Sequence, residues 1–464
     1  MRVLLVRPPS PQVAILTPPL GLGYLAAAAR RDGHQVALFD GPGLHGGLPQ
    51  LERELRRFQP ELVGIQLFSC DLDAVSQVLA LTAKVAPHAL TVVGGPHVTG
   101  EPERSMRQLP TAQLGLHGEA EPGLLALLAR LQAGLEPGSP EVPGLVWRRD
   151  GQVLVNPKGR NADLDALPWP AWDLMPPGRY PAAPHGTFSK RLPTAPIITT
   201  RGCPCLCSYC SVDLVHGRSI RSRSARDIVD EIVFLRRQHG VRELNLEDDA
   251  FTASKTHAMA FCEELLRRGL DMPWTLPNGV RLDKLDAELI RTMERAGCHA
   301  MAVGIESGSP AVLAHMRKGL DLGTVRERLA MITRESDIRL QGMFILGYPT
   351  ETAADLQRTI ELALSLPLHR AQFGLFLPLP GTAVYQQLAG SGEIDPDTLP
   401  WQDFVVHKAV YAPPGLTRAQ LVQARNSAFR RFYLRPAILR DLARQVHSPS
   451  QWRTVLTRVR HYLR

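Results

Sequence analysis

At 464 residues, with 21% charged and 44% hydrophobic positions, the chain is long enough for two or three full cores and has the composition of an ordinary globular protein, not a disordered or fibrous one. No apolar run approaches the ~20 residues that span a bilayer, and seven cysteines without an apolar N-terminal signal fit a cytoplasmic protein whose thiols stay reduced. The formal net charge of +8 would suit a nucleic-acid binder, but eleven arginines against the single Asp441 put +10 into residues 416–464 and leave the first 415 residues at about −2.

The first elements alternate strand and helix. Residues 2–6 are a leucine and β-branched run, followed by a Pro-rich loop and the helical Pro19-Leu-Gly-Leu-Gly-Tyr-Leu stretch. Residues 34–40, 62–68, 90–96 and 113–119 read as further strands, with helices over 73–84 and toward 132. Near-continuous apolar runs of strand length belong to a parallel sheet buried on both faces. The expected fold of residues 1–135 is a doubly wound, Rossmann-like α/β domain. Its strand ends carry glycines at Gly94-Gly95-Pro96 and Gly118-Glu119, where open α/β sheets hold ligands. From 136 to 195 the chain is rich in Pro and Gly and reads as a wrapping linker, with one hairpin about Asp150-Gly151.

Residues 201–210 read Arg-Gly-Cys-Pro-Cys-Leu-Cys-Ser-Tyr-Cys. Cys203, Cys207 and Cys210 are spaced Cys-x3-Cys-x2-Cys, which brings three soft thiolates round one corner of a cubane 4Fe-4S cluster, each to one iron, and leaves the fourth iron open. A structural zinc site would need a second Cys or His pair nearby, and none follows. Cys205 is expected to be an apolar loop residue, and Cys262 and Cys298 to pack in cores.

Beyond the loop, strands recur near 197, 243–246, 274–276, 300–303, 342–346 and 372–377, with amphipathic helices between them. Six β–α units are too few to close an eight-stranded barrel, so a partial (β/α)6 barrel over 196–385 is expected. Its strand ends carry Glu247-Asp248-Asp249, Asn278-Gly-Val-Arg281, Gly304-Ile-Glu306-Ser307, Gly347-Tyr-Pro-Thr-Glu351 and Pro378-Leu-Pro-Gly-Thr382. The Arg281 guanidinium could take a carboxylate bidentately. Residues 386–464 form a basic helical region divided by Pro436 and Pro449. In its last segment Trp452, Val455, Leu456, Val459, Tyr462 and Leu463 share one face. That face offers either docking on the barrel or a peripheral membrane contact.

The stretch from Thr199 to Cys210 resembles the signature loop of the radical S-adenosylmethionine superfamily. Pro19-Leu-Gly-Leu-Gly-Tyr-Leu, Gly94-Gly-Pro-His and Gly118-Glu-Ala-Glu resemble the cobalamin-binding domain that precedes the radical domain in one large subfamily. The resemblance implies that the open iron chelates S-adenosylmethionine and that one electron cleaves it to give a 5′-deoxyadenosyl radical. It implies S-adenosylmethionine contacts from Tyr209, Glu247, Asp248, Arg281, Glu306, Ser307 and Gly347, and cobalamin contacts from Leu20, Gly21, Ser69, Gly94, Gly95, Pro96, Gly118 and Glu119. The Asp-x-His-x-x-Gly element that supplies a histidine to cobalt is missing, and His45 sits in a Gly-rich loop without it. A base-off corrinoid is expected, with Ser69, His97 or a water facing the metal. The implied activity is C-methylation of an unactivated carbon in a lipid, isoprenoid, tetrapyrrole or peptide natural product, with rearrangement, ring contraction or oxidative cyclisation as the alternative. The implied partners are a small-molecule or lipid substrate and an electron donor such as flavodoxin or ferredoxin. No nucleic acid is expected, since the basic tail has few interleaved aromatics.

Overall fold

The computed structural model describes residues 1–11, 16–181 and 189–445. Its first sheet contains β1 (Arg2–Arg7), β2 (Gln35–Asp40), β3 (Leu62–Gln66), β4 (Leu90–Gly94) and β5 (Leu114–Leu116), parallel and in spatial order 2-1-3-4-5. Val3, Leu4, Leu5 and Val6 at its centre are buried on both faces, which is why β1 reads as an unbroken apolar run. Helices Leu20–Arg31 and Ala120–Gln132 pack on each other beside the sheet, while Leu48–Phe58 packs on Leu72–Val85.

The hairpin forms as expected, as β6 (Leu145–Arg149) and β7 (Gln152–Val155) around Asp150 and Gly151, both at positive φ (52° and 77°). It is not part of a linker, however. β6 pairs antiparallel with β5, so the hairpin is the edge of the first sheet. Half-apolar strands of this kind bury their inner face most cheaply by extending an existing sheet, and the connecting segment therefore begins only after Val155.

The second sheet starts at β8 (Thr194–Ile197). A short antiparallel ribbon, β9 (Thr200–Arg201) with β10 (Arg221–Ser222), then brackets the cysteine loop. β11 (Glu243–Leu246), β12 (Trp274–Val280), β13 (Cys298–Glu306), β14 (Arg339–Leu346) and β15 (Arg370–Leu375) follow, all parallel, each beside its predecessor in a six-stranded sheet that begins with β8. This is the expected open barrel. Leu244, Leu246, Trp274, Leu340, Phe344 and Phe373 point to the helices in one continuous core. On the alternate face Gln341, Met343, Ile345, Gln372 and Gly374 are only half-buried, so the barrel interior is lined but not filled.

The basic region is helical as expected, over Arg418–Tyr433 and Pro436–Gln445. Thr417 and Gln420 form a capping box at the start of the longer helix. That helix lies on β15, with buried Arg425 donating from Nε to Phe373 O at 3.0 Å. Arg435 stacks over Phe432 at 4.0 Å and donates to Leu364 O. Both arginines serve docking, and the amphipathic face expected at 452–463 lies outside the described residues. Among the described residues no helix is long and apolar enough to cross a membrane.

Candidate functional site

The loop from Thr199 to Gly217 is held from below by the acidic triplet at the end of β11. Asp248 is 3% exposed and accepts from Thr199 N at 2.6 Å and Thr200 N at 3.1 Å, and Thr199 Oγ1 also donates to it. Burial raises its pKa to about 6 against the opposing pull of these bonds. Asp249 accepts from Gly202 N at 2.9 Å and pairs with His216 Nδ1 at 2.6 Å. Asp248, expected beside a cofactor amino group, therefore grips the loop backbone instead, and of the triplet Glu247 is left half-buried at the strand end. Gly202 has φ +97°, and a Cβ there would lie 2.4 Å from Ser219 O. Farther along, Ser208 N donates to Met316 O at 3.0 Å and Ser208 Oγ lies 2.8 Å from Tyr348 Oη.

The loop turns the thiols of Cys203, Cys205, Cys207 and Cys210 half out of the protein, none of them in a disulfide. Burial raises the Cys210 thiol to about 11 and also raises Cys207, with the Lys318 charge opposing at Cys207. Cys205, expected as an apolar loop residue, is half-buried beside Cys203, and its neighbour's thiol, with the Arg281 and Lys318 charges aiding and burial opposing, holds its own thiol below the usual range. Among the described residues no three His, Cys, Asp or Glu side chains converge on a single-ion site. A cubane asks for something else, one thiolate at each of three separate irons, and three unpaired thiols on one short loop beside two cations fit that demand.

Lys318, which the sequence did not single out, is 7% exposed and meets Glu306 Oε1 at 2.7 Å and Tyr209 Oη at 3.5 Å. Burial opposes its charge, yet Glu306 and Cys207 outweigh that and hold its pKa above the ordinary lysine value. Glu306 occupies the left-handed region at φ +69°, and a Cβ on Gly304 would lie 2.6 Å from Glu306 Oε1. Tyr209 and Glu306 thus come together at Lys318. Arg281 comes near but its fork is taken: Nε donates to Asp283 at 2.8 Å and the two terminal nitrogens to Lys318 O and Gly319 O. Ser307 is fully buried, bonded to Thr359 Oγ1 and to Ser309 N, and turned away from the loop. Gly347, at φ +83°, donates to Glu351 and would clash with Leu421 if it carried a Cβ.

In the first sheet the strand order reverses between β1 and β3, which places the ligand crevice at their carboxyl ends. Gly95 sits there at φ +122°, where a Cβ would lie 2.8 Å from Leu67 O; Gly94 O accepts from Leu67 N. Leu20 and Gly21 open the first helix, and a Cβ at exposed Gly21 would meet nothing within 4 Å. Ser69 and Pro96 flank this crevice, and Gly118, at φ +78°, donates its backbone N–H to Thr99 Oγ1 at 3.0 Å. His97, expected as one possible cobalt neighbour, is fully buried with both ring nitrogens engaged. His45 is occupied too, with Nδ1 accepting from Asp40 N at 2.9 Å.

Glu119 does not face this crevice. It is 3% exposed and binds Arg221, Arg201 (3.4 Å) and both Asn161 N and Nδ2, while Glu121 meets Arg201 at 2.7 Å. Burial alone would raise the Glu119 carboxyl, but these donors bring it below its usual value. Tyr24 stacks on Arg201 at 5.1 Å. The first sheet is thereby bolted to the cysteine loop two residues before Cys203. The same two strand-end faces also touch through backbone, since a Cβ on Gly100 would lie 2.3 Å from Pro380 O and one on Gly381 would lie 2.6 Å from Gly100 O.

Fold and site together define a protein with a corrinoid-type crevice facing a thiolate loop at the mouth of a half-open barrel. The B12 binding domain family matches residues 12–128 and the Radical SAM superfamily residues 197–363. An uncharacterised methyltransferase of Pyrococcus horikoshii is 29% identical over 447 residues, covering 95% of this chain and 94% of that protein. The anaerobic magnesium-protoporphyrin IX monomethyl ester cyclase of Cereibacter sphaeroides is 27% identical over 448 residues, covering 94% and 71%. Among solved structures, the cobalamin-dependent S-adenosylmethionine radical enzyme OxsB superposes with a TM-score of 0.76 at 17% identity, over 99% of this chain and 71% of that one. The chain belongs to the radical S-adenosylmethionine enzymes that carry an N-terminal cobalamin-binding domain, and its cofactors are a 4Fe-4S cluster, S-adenosylmethionine and cobalamin.

Proposed function

We propose that the protein transfers a methyl group to an unactivated carbon of a small-molecule substrate held inside the half-open barrel. The observation that carries this reading is the meeting of the two strand-end faces through Glu119, Glu121 and Arg201, which sets the crevice of the first sheet against the cysteine loop. When bound, the cluster and S-adenosylmethionine supply hydrogen abstraction, and cobalamin supplies a methyl donor. In this reading Cys203, Cys207 and Cys210 hold the cluster, and Asp248 and Asp249 keep their loop rigid. Lys318, with Glu306 and Tyr209, offers a buried cation to the methionine carboxylate. Glu247 faces its amino group, and the Gly347 turn flanks the adenine. Leu20, Gly21, Gly94, Gly95 and Gly118 cradle the corrinoid. Residues 1–155 make up the corrinoid-binding part and 194–385 the barrel.

The substrate would meet a mixed lining. Asn245 and Thr275 bond each other at 2.8 Å on the inner face, Gln341 reaches toward Gln372, and Met343 and Ile345 continue that face toward the carboxyl end of β14. A flavodoxin- or ferredoxin-type protein would supply the electron. The test is transfer of deuterium from a labelled substrate into 5′-deoxyadenosine together with a product heavier by one CH₂ unit. Full turnover by a Cys203→Ala variant would contradict the proposal. The likeness to the cyclase, over nearly the whole chain, favours oxidative cyclisation as the second reading. That reaction gives a product lighter by hydrogen with no added carbon, so product mass separates the two.

A further inference from the structure

His97 takes no part in the chemistry above, yet its surroundings are specific. It is 0% exposed and lies just past the carboxyl end of β4. Its Nδ1 is 2.9 Å from Ser69 Oγ and its Nε2 is 2.9 Å from Gln108 Oε1, while Trp401 meets the ring edge-on at 5.0 Å. An amide oxygen can only accept, so Nε2 carries the hydrogen of the neutral ring. Nδ1 is then an acceptor, and the hydrogen of the Ser69 hydroxyl points at it. Burial lowers the His97 pKa, in keeping with a neutral ring. The donor capacity of Ser69 is thereby spent inward, and its lone pairs remain for whatever occupies the crevice.

Ser69 itself is half-buried at the end of β3, beside the point where the strand order reverses, and its neighbour Phe68 is 42% exposed at the same edge. No imidazole competes for the position: His97 is tied at both nitrogens, His45 binds Asp40 N and stacks on Phe39 at 5.2 Å, and His117 Nε2 donates to Asn156 O at 2.7 Å. We infer that Gln108, His97 and Ser69 form a hydrogen-bond relay whose purpose is to present the Ser69 oxygen, as a fixed acceptor, to the cobalt side of the bound corrinoid. Ser69 is the contact, and His97 and Gln108 are positioning residues that act through it. Buried relays of this kind are effective because each member is fully satisfied and the end group has one orientation.

This inference rests on the corrinoid assignment above, and its test reads the metal, not turnover. The full-length protein is loaded with hydroxocobalamin, reduced to the cob(II)alamin state and examined by electron paramagnetic resonance and visible absorption, with corrinoid per chain measured in parallel. The wild-type signal should lack the nitrogen splitting that a histidine ligand produces. Ser69→Ala should keep corrinoid stoichiometry but shift the cobalt hyperfine pattern and the visible band. Gln108→Leu should shift them in the same direction, and Gln108→Glu, which keeps an acceptor in place, should retain the wild-type spectrum. Spectra of Ser69→Ala and Gln108→Leu that match wild type, a Gln108→Glu spectrum that matches Gln108→Leu, or nitrogen splitting in the wild type would each overturn the relay while leaving the corrinoid assignment intact. A wild-type protein that binds no corrinoid would overturn both.

Discussion

Three carboxylates near the loop illustrate how position, more than residue type, assigns a role. Asp248 and Asp249 bind backbone and His216, and Glu351 is 1% exposed with Oε1 unpartnered among the described residues. Burial raises the Glu351 pKa to about 8, above the value it has in an unfolded chain. The folded state therefore binds the extra proton between the two values, and stability should fall as pH rises from about 4.5 to about 8 and level off above that. Glu351→Gln should flatten that fall, melting higher than wild type at pH 8 by at least ~2–4 °C and about equally near pH 4; thermal melts at the two pH values check it. Cys207→Ala should lose the iron and the visible absorbance of the reconstituted cluster. Cys205→Ala should keep about four irons per chain, as a cubane requires, despite its hydrogen bond to Cys203. The loop cysteines were legible because ligand spacing is local. Lys318 was not, since a lysine after a short helix reads as solvated until the fold lays it against Glu306 and Tyr209.

At the level of elements, the turn that follows β5 does more than close a βα unit. Glu119 at its end and Glu121 in the first turn of the helix that follows reach Arg201 and Arg221 on both strands of the β9–β10 ribbon. Removing one partner from such a buried network leaves a charge uncompensated, so Glu121→Ala should cost about 3–5 kcal/mol. Glu288→Ala, which breaks the exposed pair with Lys255, should cost no more than about 1 kcal/mol. Chemical denaturation of both variants measures the contrast. Gly95→Ala should reduce corrinoid binding, because its φ of +122° and the 2.8 Å approach to Leu67 O admit no side chain; corrinoid retained per chain after gel filtration is the readout. The parallel strands and the hairpin were legible from their periodicity and from Asp150-Gly151. The hairpin's membership of the first sheet was not, since edge pairing depends on which strand is left exposed. For the same reason Glu119, placed by its motif beside a ligand, turned out to hold two elements together.

Across the whole molecule, the order of the two sheets and the open barrel followed from alternation and the count of β–α units, both carried by contiguous stretches of chain. What escaped was everything that joins the two: the Arg201 network, the Gly100–Pro380 approach, and Trp401 closing over His97 from the C-terminal region. Such contacts link residues far apart in sequence and leave no periodic trace. The net positive charge of the tail has a comparable explanation within the described residues, where Arg425 and Arg435 anchor the helices to the barrel. The central claim is that one chain holds two cofactor centres, one on each sheet. Its most direct test is the ultraviolet–visible spectrum and metal content of anaerobically reconstituted protein. The account predicts a broad cluster band with about four irons per chain together with corrinoid absorption at about one per chain. A cluster band without any corrinoid uptake, or a cluster band that persists when Cys203, Cys207 and Cys210 are replaced, would contradict it.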